Sequence, residues 1–261
     1  MTDHEKPRLA GLGPHSHNQW RVNSEHADLT RTAPTPRPVS IAAKPKPITV
    51  DLSRSAVIVV DMQNDFCHAE GWLAGIGVDV TAARAAIEPI QRLLPRFRQH
   101  AVPVIWLNWG NRPDLANISP ALLHVYDGDA VGAGLGAKLG KHKAPVLEKG
   151  SWSAQVVDEL AVDPTDICVD KHRMSGFWDT PLDAILRNLR VDTLLFCGVN
   201  ADQCVLHTLA DANFLGYDTI MIEQASATTS PDFCLDATLY NVRQIFGFTV
   251  EADALCTALA D

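Results

Sequence analysis

The chain has 261 residues, of which 46% are hydrophobic and 20% are charged, a composition sufficient for one large globular domain. Its net charge of −9 excludes nucleic acid and anionic membrane surfaces as partners over most of its surface, and it suits a neutral or cationic small molecule. No apolar run reaches the length of about 18 residues that a membrane helix needs, and the first residues lack the apolar core of a signal peptide. We therefore expect a cytoplasmic protein whose six cysteines are free thiols, most of them core residues.

The first segment, residues 1–48, differs from the rest of the chain. It contains seven prolines and four histidines and has almost no periodic apolar pattern. This composition predicts an extended N-terminal arm that packs on its own subunit or on a neighbouring one. His15 and His17 lack a cluster of further ligands, so we expect no metal site there.

From residue 49 onward, predicted strands and helices alternate to residue 261. Short apolar runs predict buried strands, and longer segments with helical periodicity separate most of them. A long segment rich in Gly and Asp, 108–150, interrupts the pattern, and loops of this length are usually functional or contact another subunit. The predicted strands are 56–60, 102–107, 166–170, 193–197 and 218–223, and the predicted helices are 81–100, 182–189, 204–215 and 232–245.

This alternation predicts an α/β fold with three layers, a Rossmann-like arrangement in which helices cover both faces of a mainly parallel central sheet. Ligands of such sheets bind beyond the carboxyl ends of the strands. Three reactive residues stand there: Asp61, Lys171 and Cys204 follow three different predicted strands. A carboxylate, an ammonium group and a thiol brought together would form a nucleophilic hydrolase site.

Each of the three residues also has an ordinary explanation. An Asp after a strand commonly caps a helix, a Lys there is commonly solvated, and a lone Cys is more often part of a core than a nucleophile. Their joint occurrence at three strand ends favours the catalytic interpretation. Cys204 also opens a predicted helix, whose dipole favours the thiolate, and Lys171 beside Asp61 would keep that carboxyl ionised.

Three motifs carry a resemblance to a known group of enzymes. They are VIVVDMQNDF at 57–66, KHRMSGFWDTPL at 171–182 and GVNADQCV at 198–205. With these motifs in this order, the region from about 48 to 260 resembles the isochorismatase-like cysteine hydrolases.

The resemblance implies roles for the three residues and for the turn before the cysteine. Cys204 would attack an amide carbonyl to give a thioester, Asp61 would act as the base, and Lys171 would stabilise the charged pair. The backbone N–H groups of Asn200 and Cys204 would form an oxyanion hole, next to a cis peptide between Val199 and Asn200. No cofactor is implied.

Within the superfamily, the chain looks closest to ureidoacrylate amidohydrolases and biuret hydrolases, which both cleave a ureido or carbamoyl C–N bond. Arg112 could hold a substrate oxygen through paired hydrogen bonds, and its alternative is a surface Arg before a proline. Gln63 could contact a urea-like group or serve a structural role. Phe177 and Trp109 would supply apolar walls.

Departures from the family pattern narrow the chemistry. Many members have Thr within the turn before the nucleophile, whereas the turn here is Asn200-Ala201-Asp202-Gln203. Asn200 is a larger polar residue at an oxyanion-hole position, which affects specificity more than mechanism. The Asp-x-His metal motif of nicotinamidases is replaced by Asn108-Trp-Gly-Asn111, so we expect no catalytic metal. Isochorismatases proper lack the nucleophile, and Cys204 argues against their vinyl-ether cleavage.

Two alternatives stay open. The same triad could hydrolyse a cyclic amide or a larger amidated natural product, or the fold could persist as a non-catalytic binding protein. The resemblance also implies a homodimer or homotetramer, with the arm and the 108–150 segment as contact surfaces.

Overall fold

The computed structural model describes residues 8–260, in which strands and helices alternate along most of the chain. The strands are β1 (Ala10–Leu12), β2 (Trp20–Val22), β3 (Ala27–Asp28), β4 (Pro38–Ile41), β5 (Ala43–Lys44), β6 (Ile48–Asp51), β7 (Ser55–Val60), β8 (Val104–Trp109), β9 (Lys138–Leu139), β10 (Ala144–Pro145), β11 (Ile167–Lys171), β12 (Thr193–Gly198), β13 (Asp218–Ser226) and β14 (Phe248–Val250). The α-helices are α1 (Asn64–Cys67), α2 (Trp72–Gly75), α3 (Thr81–Arg84), α4 (Ile87–Gln99), α5 (Pro120–Tyr126), α6 (Leu182–Leu189), α7 (Leu206–Phe214), α8 (Asp232–Asn241) and α9 (Ala252–Ala258).

A seven-stranded sheet with the order β11-β8-β7-β12-β13-β14-β5 forms the centre of the molecule, and helices flank it. Neighbouring strands from β11 to β14 are parallel, and only β5 runs antiparallel, at the edge. This is the α/β fold with a mainly parallel sheet that the sequence predicts. The carboxyl ends of β7, β11 and β12 consequently meet at one edge of the sheet.

The inner strands consist of apolar runs because both faces of the sheet are covered there. All six residues of β7 are buried, and so are all six of β12, which pairs with β7 in register along its whole length. Burying side chains on both faces requires continuous apolar sequence rather than alternation, and the sequence of β7, SAVIVV, has that pattern.

The arm contains short antiparallel strands rather than an unbroken extended chain. β1, β2 and β3 form a small sheet, β4 pairs with β6, and β5 already pairs with β14 of the central sheet. His17 contacts the backbone oxygen of Leu189 at 2.9 Å through Nε2, so this part of the arm packs against the end of α6. The boundary at residue 48 stays a prediction, and residues 1–7 of the arm lie outside the described residues.

Two element predictions differ from the structure. The helix predicted for 81–100 is divided into α3 and α4, since Pro89 has no N–H to bond the carbonyl of Ala85 and continue a single helix. The long 108–150 segment, predicted as irregular, contains α5 and the β9–β10 pair. The start of α5 has a local signal: Pro120 occupies its first turn, and Ser119 accepts a hydrogen bond from the N–H of Leu122. Among residues 8–260, no helix is long and apolar enough to cross a membrane.

Candidate active site

The three reactive residues of the sequence motifs are in contact at the carboxyl edge of the sheet. Lys171 ends β11, Asp61 directly follows β7, and Cys204 lies in the turn after β12. The Lys171 Nζ atom is 2.7 Å from Asp61 Oδ2 and 3.2 Å from Cys204 Sγ, so the ammonium group lies between the carboxylate and the thiol. The exposed fraction is 0% for Lys171, 1% for Asp61 and 4% for Cys204, so the site is shielded from bulk water.

Lys171 has a complete set of partners. Besides Asp61 and Cys204, its ammonium group donates a hydrogen bond to the backbone oxygen of Arg173 at 3.2 Å and lies 4.3 Å from the centre of the Trp109 ring. The 2.7 Å contact with Asp61 is an ion pair, and both oxygens of this carboxylate are buried. Asp61 is also within hydrogen-bond reach of the Cys204 thiol, so it can accept the proton of that thiol.

Gly198 allows the nucleophile turn to begin close to β7. Its φ is +112°, and a Cβ at this position would come within 2.0 Å of the backbone oxygen of Val60. The same oxygen accepts a hydrogen bond from the N–H of Val199 at 3.0 Å. Only glycine meets both requirements, the positive φ and the close approach of two backbones.

The turn itself has an unusual backbone. The Val199–Asn200 peptide bond is cis, and Ala201–Val205 forms a π-helical turn that carries Cys204 and continues into α7. The backbone N–H of Asn200 donates to no acceptor within the described residues, and it opens this turn. An N–H left free at a nucleophile is the kind of donor that an oxyanion hole uses.

The loop after β13 fixes the position of the turn. The N–H of Ala201 donates to the backbone oxygen of Ala227 at 2.8 Å, and Asn200 Oδ1 accepts a hydrogen bond from the N–H of Thr229 at 3.2 Å. Asp202 accepts a hydrogen bond from the hydroxyl of Thr228 at 2.5 Å. The Asn200 amide is therefore held by this loop, a position that the motif alone does not reveal.

Burial dominates the electrostatics of the triad. It raises the pKa of Cys204 well above the usual value for a thiol, although Lys171 opposes this shift. Burial also raises the pKa of Asp61 in spite of the adjacent ammonium group, which corrects the expectation that Lys171 would lower it. Burial by itself would lower the pKa of Lys171, but its interactions with Asp61 and Cys204 outweigh burial and raise that pKa.

The resting site therefore holds a neutral thiol beside a protonated lysine. The helix-dipole expectation of a ready thiolate is wrong for this geometry, because desolvation outweighs the effect of the helix terminus. Raising the pKa of the carboxyl group brings it closer to the pKa of the thiol. The transfer of a proton from the thiol to the carboxylate therefore costs less free energy.

Two of the proposed substrate-binding residues lie beside the triad. Trp109 is buried with its ring against Lys171, and its Nε1 donates to Asn111 Oδ1 at 2.7 Å. Gln63 is fully buried and joins two segments: Nε2 donates to the backbone oxygens of Trp109 and Ala154 at 2.8 and 2.7 Å, and Oε1 accepts from the N–H of Trp109 at 2.8 Å. Both of its N–H donors are occupied, so Gln63 positions Trp109 and has no free donor for a substrate.

The other two proposed substrate-binding residues are not brought to the triad. Arg112 is exposed and pairs with Asp114 through two hydrogen bonds of 2.9 and 2.7 Å. The Phe177 ring lies 6.0 Å from that of Tyr217, which precedes β13 and so marks the amino-terminal edge of the sheet. The chain turns back along the sheet after Lys171, which carries Phe177 away from Cys204.

Met174 and Tyr126 contact the site, and sequence reasoning missed both. The Met174 Sδ atom is 3.7 Å from Cys204 Sγ, and the Tyr126 hydroxyl is 3.7 Å from the same sulfur of Met174. Met174 is three residues beyond Lys171 within one of the family motifs, which was a usable signal. Tyr126 ends α5 inside the segment predicted to be irregular, so no local pattern pointed to it.

No group of three His, Cys, Asp or Glu side chains within residues 8–260 is placed to hold a metal ion. The functional groups at this edge of the sheet are the triad, the turn that carries Cys204 and the side chains around them. Their arrangement places a buried thiol beside a carboxyl group and an ammonium group, the set of groups that a thiol nucleophile with a base would need.

Comparisons with known proteins identify the fold and the family. A cysteine hydrolase from Pseudomonas syringae pv. phaseolicola 1448A shares 27% identity over 80% of this chain and 94% of its own, with a TM-score of 0.67. An isochorismatase family protein from Desulfovibrio vulgaris shares 26% identity over 80% of this chain and 99% of its own, with a TM-score of 0.64. N-carbamoylsarcosine amidase from Thermoplasma acidophilum shares 28% identity over 77% of this chain and 97% of its own, with a TM-score of 0.58. Residues 55–254 match the isochorismatase domain, and the chain therefore belongs to the isochorismatase family of hydrolases.

Proposed function

We propose that this protein is a cysteine amidohydrolase that cleaves a C–N bond of a small ureido or carbamoyl compound, of the ureidoacrylate, biuret or triuret type, through a thioester. The observation that carries the proposal is the bridging position of Lys171, 2.7 Å from Asp61 and 3.2 Å from Cys204. The similarity to N-carbamoylsarcosine amidase supports a carbamoyl substrate.

In the first half of the proposed reaction, Asp61 takes the proton of Cys204 as Sγ attacks the carbonyl carbon. The carbonyl oxygen becomes an oxyanion, which the N–H groups of Asn200 and Cys204 would stabilise, each donor contributing roughly 3 kcal/mol. The C–N bond then breaks, and the leaving nitrogen receives the proton from Asp61. Ammonia or an amine departs, and the acyl group remains on Sγ as a thioester.

In the second half, water replaces the leaving amine. Asp61 takes one proton from this water, whose oxygen attacks the thioester carbon, and the C–S bond breaks. The proton returns from Asp61 to Sγ, which restores the thiol. Lys171 remains protonated throughout and holds the negative charge as it moves between the carboxylate and the thiol, a role consistent with its raised pKa.

The test is a substrate panel of ureides, biuret, triuret and lactams scored by ammonia release and by product mass. We expect release from ureido compounds by the wild type, none by Cys204→Ala, and wild-type rates for Cys168→Ser, which alters an exposed cysteine of the same chain. Turnover retained by Cys204→Ala would contradict the mechanism. Turnover of lactams alone would favour the cyclic-amide alternative, and no turnover of any compound would favour the non-catalytic binding protein.

We also propose that the enzyme is a cytoplasmic homodimer or homotetramer, with the arm and the 108–150 segment at subunit contacts. Light scattering on the full chain and on a variant that lacks the arm tests this. A monomer in both cases would contradict it.

A further inference from the structure

The Tyr126 hydroxyl is a hydrogen-bond donor without a strong acceptor. Within the described part of the chain, its one hydrogen-bond contact is the thioether sulfur of Met174 at 3.7 Å. A thioether is a weak acceptor, whereas a half-buried phenol hydroxyl usually finds an oxygen or nitrogen partner. The Tyr126 hydroxyl therefore has only a weak acceptor on the side of the site, where Met174 contacts Cys204.

The ring of Tyr126 is held more firmly than its hydroxyl. It lies edge-on to Trp72 at 5.3 Å and to Trp109 at 5.9 Å between ring centres. Both tryptophans are anchored by their indole N–H groups, that of Trp72 on the backbone oxygen of Ala133 and that of Trp109 on Asn111. The hydroxyl therefore has a fixed position, and a donor in a fixed position loses little freedom when it binds a ligand.

Met174 separates this donor from the nucleophile. Its sulfur is 3.7 Å from Cys204 Sγ and 3.7 Å from the Tyr126 oxygen, and it is the more flexible of the three side chains. A substrate whose carbonyl carbon approaches Cys204 from the side of Met174 would displace this side chain. The far end of such a substrate would then meet the Tyr126 hydroxyl.

We infer that Tyr126 is a substrate-binding residue that donates a hydrogen bond to a second carbonyl oxygen of the substrate, and that Met174 moves aside when this group binds. The inference rests on the proposed function and narrows it to ureides with a carbonyl group beyond the scissile C–N bond. Burial, with a smaller effect of the adjacent Cys204 and Asp61, raises the pKa of Tyr126, so the hydroxyl keeps its proton and acts as a donor.

The test compares two ligands that differ at this carbonyl. N-acetylurea has the second carbonyl oxygen, and N-ethylurea has a methylene group in its place. The rate at which iodoacetamide alkylates Cys204 is measured at rising concentrations of each ligand directly after mixing, before turnover consumes the ligand, and the protection gives an apparent dissociation constant.

We expect Tyr126→Phe to raise the dissociation constant of N-acetylurea about five- to tenfold and that of N-ethylurea about twofold at most, as for the loss of one neutral hydrogen bond. Tyr240→Phe, which alters an exposed tyrosine on α8, is the matched control and should leave both constants unchanged. Unaltered melting of Tyr126→Phe checks its fold.

Equal changes for the two ligands, or no protection by N-acetylurea in the wild type, would overturn the assignment of Tyr126. Failure of the proposed function would give a different result. N-acetylurea would still protect Cys204 from iodoacetamide, but no compound of the substrate panel would release ammonia. The two conclusions can therefore fail separately.

Discussion

Removing the buried cation should be the most informative change in this protein. Lys171→Met leaves Asp61 without its ion-pair partner at a position that is 1% exposed. Breaking a buried pair by deleting one partner costs about 3–5 kcal/mol, because the remaining charge is buried and uncompensated. Since a domain is stable by only about 5–15 kcal/mol, this change should remove a large part of the free energy of unfolding.

The assay is equilibrium unfolding in urea at neutral pH, followed by fluorescence. Lys141→Met is the matched control, because Lys141 Nζ lies 2.7 Å from Glu70 Oε1, the same separation as in the buried pair, but in a mostly exposed position. Exposed pairs contribute about 0–1 kcal/mol, so the control should unfold close to the wild type. The double variant Asp61→Asn/Lys171→Met has no buried charge at this site and should recover part of the lost stability.

The same variant should have a characteristic dependence on pH. Without Lys171, burial raises the pKa of Asp61 further above the 3.8 of an unfolded aspartate. Between these two values, the folded state holds a proton that the unfolded state has released. Stability should therefore fall by about 1.4 kcal/mol for each pH unit as the pH rises from about 4 towards the folded-state pKa. A variant as stable as the wild type, or one whose stability rises over this range, would refute the reasoning.

Three further changes test other parts of the site. Gly198→Ala should lower the free energy of unfolding in urea by about 2–4 kcal/mol and reduce ammonia release, because its Cβ would come within 2.0 Å of the Val60 backbone oxygen at a φ of +112°. Normal activity of this variant would contradict the prediction. Met174→Ala should speed alkylation of Cys204 by iodoacetamide several-fold, whereas Met174→Leu, which keeps the bulk, should not; equal rates would show that Met174 does not cover the thiol. Gln63→Leu should lower the free energy of unfolding in urea by about 3 kcal/mol or more, since it removes the partners of the Trp109 N–H and of the Trp109 and Ala154 backbone oxygens. A change within about 0.5 kcal/mol would indicate that these contacts are dispensable.

The sequence predicted those parts of the site that depend on sheet topology. Asp61, Lys171 and Cys204 each follow an apolar run, and the carboxyl ends of parallel strands meet at one edge, so their contact follows from local pattern alone. Arg112 and Phe177 show where this reasoning stops. Both lie in segments that leave the sheet, where the direction of a side chain depends on turns and on distant packing, and the structure directs them to Asp114 and to Tyr217.

Electrostatics was the other part that sequence could not supply. Proximity of Lys171 to Asp61 was predictable, but the depth of burial was not, and burial changes the sign of the pKa shift of the carboxyl group. The same burial raises the pKa of Cys204 and so favours its neutral thiol. Charge pairs and desolvation oppose each other, so a motif that names both partners does not decide which effect is larger.

The triad lies at the ends of strands, whereas Tyr126 and Met174 lie in segments outside the sheet. This difference in position separates the residues proposed for chemistry from those proposed for specificity. The triad is fixed by two inner strands, β7 and β12, and by the edge strand β11, which pairs in register with β8, so its geometry tolerates little change. Tyr126 lies at the end of α5 and Met174 lies just beyond β11, in segments that can change in length or sequence without breaking a ladder of the sheet. If the hydroxyl of Tyr126 selects the far end of the substrate, a family member could change its substrate by altering α5 while keeping the same thiol, base and cation. The difference between N-acetylurea and N-ethylurea in Tyr126→Phe therefore tests where specificity lies in this fold as well as the role of one residue.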